Sequence, residues 1–367
     1  MTFSAALLAA ILTAQTARAA TYYVATTGND ANPGTATQPM RTIPFAYSKT
    51  LPGDAVIVKP GVYTDYKAGY GIHLNRSGTA TAPITLKSEI RWGAVIDLQN
   101  KPDSNHALYM SASYLVIDGF EITRAFLGGI TIYGSYNKIL GNNIHHNGNI
   151  GDPASSYGQD GIFSSQYSRD IHHIGNYIHD NGRPSCVGQT PCNLDHGLYL
   201  CGDNEVIANN IITRNATFGI QVAGYDTVAN MKIYNNVVAW NTKSGMMLWK
   251  PLLGVDIKNN IFYKNGVFAI DSYAAHGSGV AFDRNILFGN LYNTIRTSNG
   301  DPTSYSDYTY AMGTNYTADP LFVSDTIDFR LKSGSPAIDK GLALAMASPD
   351  YGGIVRPQGA AYDIGAY

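Results

Sequence analysis

Between Ile139 and Ile286 the chain repeats one phrase six times: an aliphatic residue, an Asn-containing corner and a second aliphatic residue. The copies are Ile139-Leu140-Gly141-Asn142-Asn143-Ile144, Ile174-Gly175-Asn176-Tyr177-Ile178, Ile207-Ala208-Asn209-Asn210-Ile211, Ile233-Tyr234-Asn235-Asn236-Val237, Ile257-Lys258-Asn259-Asn260-Ile261 and Phe282-Asp283-Arg284-Asn285-Ile286. Counted at the residue before each final aliphatic, the steps are 34, 33, 26, 24 and 25 residues. Periods of this size mark stacked supersecondary units, and short apolar strands joined by Asn and Gly predict a single parallel β-helix of about ten coils.

A second column follows the first in fixed order. It comprises Gly129-Ile130-Thr131-Ile132, Gly161-Ile162-Phe163-Ser164, Gly197-Leu198-Tyr199-Leu200, Gly219-Ile220-Gln221-Val222, Gly245-Met246-Met247-Leu248 and Ala269-Ile270-Asp271-Ser272. Strand alternation places Ile130, Ile162, Leu198, Ile220, Met246 and Ile270 in one interior stack. Thr131, Phe163, Tyr199, Gln221, Met247 and Asp271 then face outward.

Four zones follow. Residues 1–20 have an apolar stretch and then Ala17-Arg18-Ala19, a small-x-small pattern expected of a cleaved export signal, so the mature protein is expected to be secreted or periplasmic. That stretch is too short to span a bilayer. Residues 21–98 form an N-terminal cap and the first coils, with a short capping helix over 42–50. Residues 99–300 carry the repeats. Residues 301–367 are expected to cap the open end, because an uncovered solenoid exposes unpaired strand edges.

The formal net charge of −2 implies no nucleic-acid or membrane-surface partner. Charged residues are only 14% of the chain against 38 glycines and 26 tyrosines, a surface of amides, hydroxyls and rings that suits sugars and equally suits a solenoid's own polar ladders. A monomer is expected. Cys186 and Cys192 bracket a loop and are expected to pair in an oxidising compartment.

Departures from a uniform repeat mark the site. The two long steps carry insertions at 147–159 and 182–195, and insertions in repeat proteins collect on the binding face. Each feeds a strand of the second column, through Gln159-Asp160-Gly161 and Asp195-His196-Gly197. Asp160 and His196 are therefore equivalent positions one coil apart, where a carboxylate can orient an imidazole and raise its basicity. His196 is the expected base, Asp160 its partner, and Tyr157 or Tyr199 the proton donor. Gln221, Phe163 and Trp249 are candidate substrate contacts. His145, His146, His172, His173 and His179 gather near the Asn corners, where stacking outweighs a metal site.

The N-terminal residues carry a family resemblance. The run from Tyr22-Tyr23-Val24 through Gly28-Asn29-Asp30-Ala31-Asn32-Pro33-Gly34-Thr35 to Pro52-Gly53-Asp54-Ala55-Val56-Ile57-Val58 and Pro60-Gly61-Val62-Tyr63 resembles the start of secreted right-handed β-helix proteins of the pectate-lyase-like superfamily. That resemblance implies the fold but no single chemistry. Gln159-Asp160-Gly161-Ile162 followed by His196-Gly197-Leu198 is similar to the polygalacturonase arrangement. Gln159 replaces that family's first Asp and Phe218-Gly219-Ile220-Gln221 replaces its Arg-Ile-Lys, so hydrolysis would need Asp195 to restore a carboxyl pair with Asp160. Tyr157-Gly158-Gln159-Asp160 resembles part of the mannuronan C5-epimerase motif, without its Pro-x-His. That resemblance to enzymes of uronic acids implies Arg183 or Lys250 as the cation for a substrate carboxylate. Resembling lyases commonly use calcium, and Asp160, Asp195, Asp203 and Glu205 are the acidic set available, although their spacing is not diagnostic and no cofactor is required. The expectation is a polysaccharide lyase acting by β-elimination, with a hydrolase, an epimerase and a non-catalytic glycan-binding solenoid as the other outcomes.

Overall fold

The structure is a computed structural model that describes residues 19–148, 158–184, 193–224, 227–249, 251–272, 277–296 and 309–367. Residues 1–18 of the expected export signal, Cys186 and Cys192, Tyr157 and Lys250 lie outside the described residues. Within them, no helix is long and apolar enough to cross a membrane.

The chain winds as a right-handed parallel β-helix with three sheets. Leu115–Asp118, Glu121–Thr123 and Gly128–Ile132 make one turn of it, each strand pairing in parallel with its counterparts in the turns above and below. The right hand is the one that parallel crossovers of L-residues adopt. Strands of three to five residues suffice because each is flanked on both sides by the coil above and the coil below.

The second column is in the expected register throughout. Ile130, Ile162, Leu198, Ile220, Met246 and Ile270 align and are at most 1% exposed. At the first corner Asn142, Asn176, Asn210, Asn236, Asn260 and Asn285 form a ladder, each Oδ1 accepting the backbone N–H and the Nδ2–H of the Asn one coil earlier. Tyr177 therefore belongs with Asn143 and Ile211, so the second step is 34 residues and not 33. Asn147, Asn181, Asn215, Asn241, Asn265 and Asn290 make a second ladder at the next corner. Buried backbone donors that the turn takes out of the strands are satisfied this way without water.

The first end is closed by the helix Ile43–Ser48, shorter than the expected 42–50. Thr42 caps it by accepting the Phe45 N–H, and Ile43, Ala46 and Tyr47 press into the end of the solenoid.

The C-terminal zone departs from a simple end cap. Residues 309–316 add a partial turn, with Thr309–Met312 pairing to Gly277–Asp283 and Asn315 accepting the last rung of the first ladder. The remainder turns back along the flank. Phe322, Phe329, Ala337, Ile364 and Ala366 cover the outward side chains of Ile211, Val237, Ile261 and Ile286. Asn209 donates to the carbonyls of Ala347 and Pro349, Asn235 to those of Asp363 and Gly365, and Asn259 to that of Leu342. Trp240 bonds the Asp325 carbonyl at 2.5 Å and is a tail anchor. The physical reason is that this face of the sheet is itself apolar and needs covering as much as the open end does.

Candidate active site

The second column faces a cleft of about 890 Å³. Its floor is the outward row Thr131, Phe163, Tyr199, Gln221 and Met247, and its walls include Asp160, Asn193, Leu194, Phe218 and Trp249. Of the expected residues the cleft thus gathers Asp160, Tyr199, Gln221, Phe163 and Trp249. The Gln221 Oε1 is buried and has no hydrogen-bond partner.

Asp160 sits at the strand start one residue before Gly161. Its Oδ1 accepts the backbone N–H of His196 at 3.0 Å, and no described group donates to Oδ2. Burial raises its carboxyl well above the usual carboxylate range; the His196 N–H opposes the shift, Asp195 adds to it, and Arg183 opposes it. Among the described residues lining the cleft it is the sole carboxylate.

His196 does not match its expected role. Asp160 touches its backbone and not its imidazole. The ring is fully buried, edge-on to Tyr199 and tilted over Phe218, with Nδ1 2.8 Å from Thr217 Oγ1. The Thr217 hydroxyl donates to the Asp195 carbonyl, so its oxygen accepts the proton on Nδ1, and Nε2 is left as a buried acceptor without a partner. Burial, aided by Lys243, pushes the imidazole down to about 3. This ring is a weak base outside the cleft lining. Its proton linkage is a stability effect. Because the folded value lies below the unfolded one, the contribution is present above pH 6.5 and is lost as the pH falls toward about 3. His106, pushed by burial to about 4, adds in the same direction. Thermal melts at neutral and mildly acid pH are expected to show a smaller acid loss in His196→Gln than in the parent; equal losses would exclude this linkage.

Asp195 and Arg183 are also reassigned. Arg183 Nε and Nη2 each reach an Asp195 carboxylate oxygen at 2.8 Å, the Arg183 backbone N–H adds a third bond at 3.1 Å, and the Gln159 N–H a fourth at 3.3 Å. Both side chains are at most 1% exposed. Asp195 is saturated and cannot form a catalytic pair with Asp160, and Arg183 is no substrate contact. Together they close the two ends of the second insertion, and Asp195 joins it to the end of the first through the Gln159 N–H.

The acidic set considered for calcium does not assemble. Asp195 is held by Arg183, Asp203 accepts the Ala229 N–H, and Glu205 lies in the core 3.0 Å from His173 Nε2, its carboxyl raised by burial. No group of three or more His, Cys, Asp or Glu side chains among the described residues is arranged to hold a metal. Of the corner histidines, His145 and His179 stack at 4.8 Å beside a second groove that also holds Glu121 and His146, whereas His173 faces inward.

Several cleft residues escaped the sequence reading. The outward row extends one strand earlier through His106-Ala107-Leu108-Tyr109, where Ala107 stands in the glycine column. His106 Nδ1 pairs with Thr131 Oγ1 at 2.8 Å. Cys201 lines the cleft, its thiol pushed up to about 12 by burial. Lys243, half-buried and lowered by desolvation, bonds Asn193 at the cleft wall.

Comparison with known proteins agrees with this architecture. Residues 22–160 match the family described as Pel9A-like, right handed beta helix region. The chain is 29% identical over 319 residues to pectate lyase L of Dickeya dadantii (strain 3937), covering 78% of this chain and 74% of that protein. It is 28% identical over 384 residues to pectate lyase L of Dickeya chrysanthemi, covering 91% and 90%. Pectate lyase Pel9A superposes with a TM-score of 0.67 at 20% identity over 95% of this chain and 96% of its own, and the periplasmic alginate epimerase AlgG with 0.50 at 14% over 73% and 61%. With residues 22–160 matched by that family, its coils in register and its cleft on the expected sheet, the chain has the right-handed parallel β-helix fold and is similar to the pectate-lyase-like proteins that share it.

Proposed function

We propose that this protein is an exported polysaccharide lyase that cleaves a uronic-acid-containing chain by β-elimination, with Asp160 and not His196 moving the proton. The observation that carries the proposal is a lone, buried carboxyl with a raised proton affinity, open through Oδ2 to an aromatic-floored cleft. Relatives named as pectate lyases support the substrate class, and Ala17-Arg18-Ala19 supports export.

The step balances as follows. The Asp160 carboxylate takes the proton from C5 beside the sugar carboxylate, that electron pair forms the C4=C5 double bond, and the C4–O bond breaks. The Tyr199 hydroxyl, one coil on, gives its proton to the leaving oxygen. A raised carboxyl pKa makes the ionised form a stronger base. The Lys243 ammonium at the wall supplies positive field for the sugar carboxylate. Hydrolysis is less well supported, because it needs two carboxyl groups across the bond and Asp195 is locked to Arg183.

Incubating the protein with a panel of uronic and neutral polysaccharides tests this. Ultraviolet absorbance of an unsaturated uronide is expected from an acidic polymer. New reducing ends without that absorbance would replace the lyase by a hydrolase, altered C5 configuration would replace it by an epimerase, and retention without change by a binding solenoid.

A further inference from the structure

The aromatic floor of the cleft does not stop at the cleft. From Phe163 the rings continue toward the first coils through Tyr133 at 6.2 Å, Tyr109 at 5.4 Å from Tyr133, and His73 at 5.2 Å from Tyr109. Tyr70 closes the row, stacked on His73 at 5.3 Å and 14° and edge-on to Tyr109 at 5.5 Å. Among the described residues the outer rings stay open to solvent: Tyr70 is 41% exposed and Tyr133 39%. Burial explains why most β-helix side chains are apolar, yet these rings are outside the core. His73 is held in place by Ser111 through Nε2 at 2.9 Å. Lys67 accompanies them, with its Nζ 5.2 Å from the Tyr70 ring.

We propose that Tyr70, His73, Tyr109 and Tyr133 form a sugar-stacking platform that extends the cleft toward the N-terminal end of the solenoid and binds a distal acidic sugar of the same polymer, with Lys67 facing its carboxylate. The polymer class rests on the lyase assignment; the platform itself rests on the rings. Its occupant follows from three features. Flat rings with polar edges match the C–H faces of pyranoses, the amine selects an anionic one, and the platform is continuous with the cleft. The sheet from Ile72–Leu74 to Met246–Leu248 has seven strands, so at the usual strand spacing the combined surface is about 29 Å long. A polymer lying across the strands, parallel to the solenoid axis, would meet platform and cleft together. The enzyme would then favour long chains cut internally.

Affinity electrophoresis of the full chain through gels containing polygalacturonate or the neutral polymer galactomannan tests the platform, with the Asp160→Asn background preventing cleavage during the run. Retention by polygalacturonate is expected, and the pair Tyr70→Ala with Tyr109→Ala is expected to weaken it by about tenfold, the scale of two lost ring contacts. Lys67→Gln is expected to erase the preference for polygalacturonate over galactomannan. Tyr70→Ala alone guards against misfolding, since that ring is solvent-exposed, and unchanged melting temperatures establish intact folds. Retention of the double variant equal to the parent would overturn the platform, as would failure of the parent to bind either polymer. Retention in the Asp160→Asn background, with no unsaturated product from the protein that keeps Asp160 when it is incubated with polygalacturonate, would sink the lyase assignment and leave the platform; unsaturated product from the latter with unchanged retention of the double variant would do the reverse.

Discussion

Asp160→Asn is expected to lower turnover on an acidic polysaccharide by about 10²–10⁴-fold, the range contributed by a positioned acid–base group. The exchange is nearly isosteric and keeps an oxygen to accept the His196 N–H, so the fold should survive it. Stability should not fall, because the parent keeps a carboxyl where burial opposes its charge. The pH profile separates a proton-moving role from a structural one. The parent rate should rise with pH through an apparent pKa above the ordinary carboxylate range, since the base form is the active one. The variant's residual rate should lack that limb. Steady-state rates of the two proteins across the pH range check both points, and a variant within about threefold of the parent would remove Asp160 from the proton transfer.

Arg183→Met is expected to cost about 3–5 kcal/mol, the usual loss when one member of a buried ion pair is removed and its partner charge stays behind. Asp195 would keep only backbone N–H donors from residues 183 and 159. A shift of the denaturant midpoint by that amount, without a change of slope, is the expected result. Activity should fall with it, because the pair fixes Asp195, which closes the second insertion and accepts the N–H of Gln159, the neighbour of Asp160. A midpoint equivalent to less than about 1 kcal/mol of change would mean that the pair is dispensable.

The interior of the solenoid was legible because strand alternation is a strict rule. Once Gly129 and its counterparts were aligned, Ile130, Ile162, Leu198 and the rest could face only one way. The second asparagine ladder was equally written in the sequence, five residues after the first at every coil from Asn147 to Asn290, but without the flanking aliphatic pair that makes the first corner stand out. The site was less legible. Equivalence of Asp160 and His196 correctly predicted neighbouring backbones, but side-chain direction at a strand start is set by local partners: the carboxylate turned to an N–H and the imidazole to Thr217. Nor could pattern reveal that Arg183, in an insertion without periodicity, would be buried against Asp195. The tail misled for a similar reason, since apolar residues without a period fit a flank as well as an end.

The returning tail has a consequence for how this solenoid can evolve. An open repeat array can lengthen or shorten by whole units, because each unit contacts only its neighbours. Here Asn209, Asn235 and Asn259, on three successive coils, are bonded to specific carbonyls of the returning tail, those of Ala347, Asp363 and Leu342. Duplicating or deleting a unit between them would displace that tail from its docking points by a full strand spacing. The number of turns along this stretch is therefore gauged by a molecular ruler, and natural variation in size should be confined to the insertions and to coils lying beyond its reach.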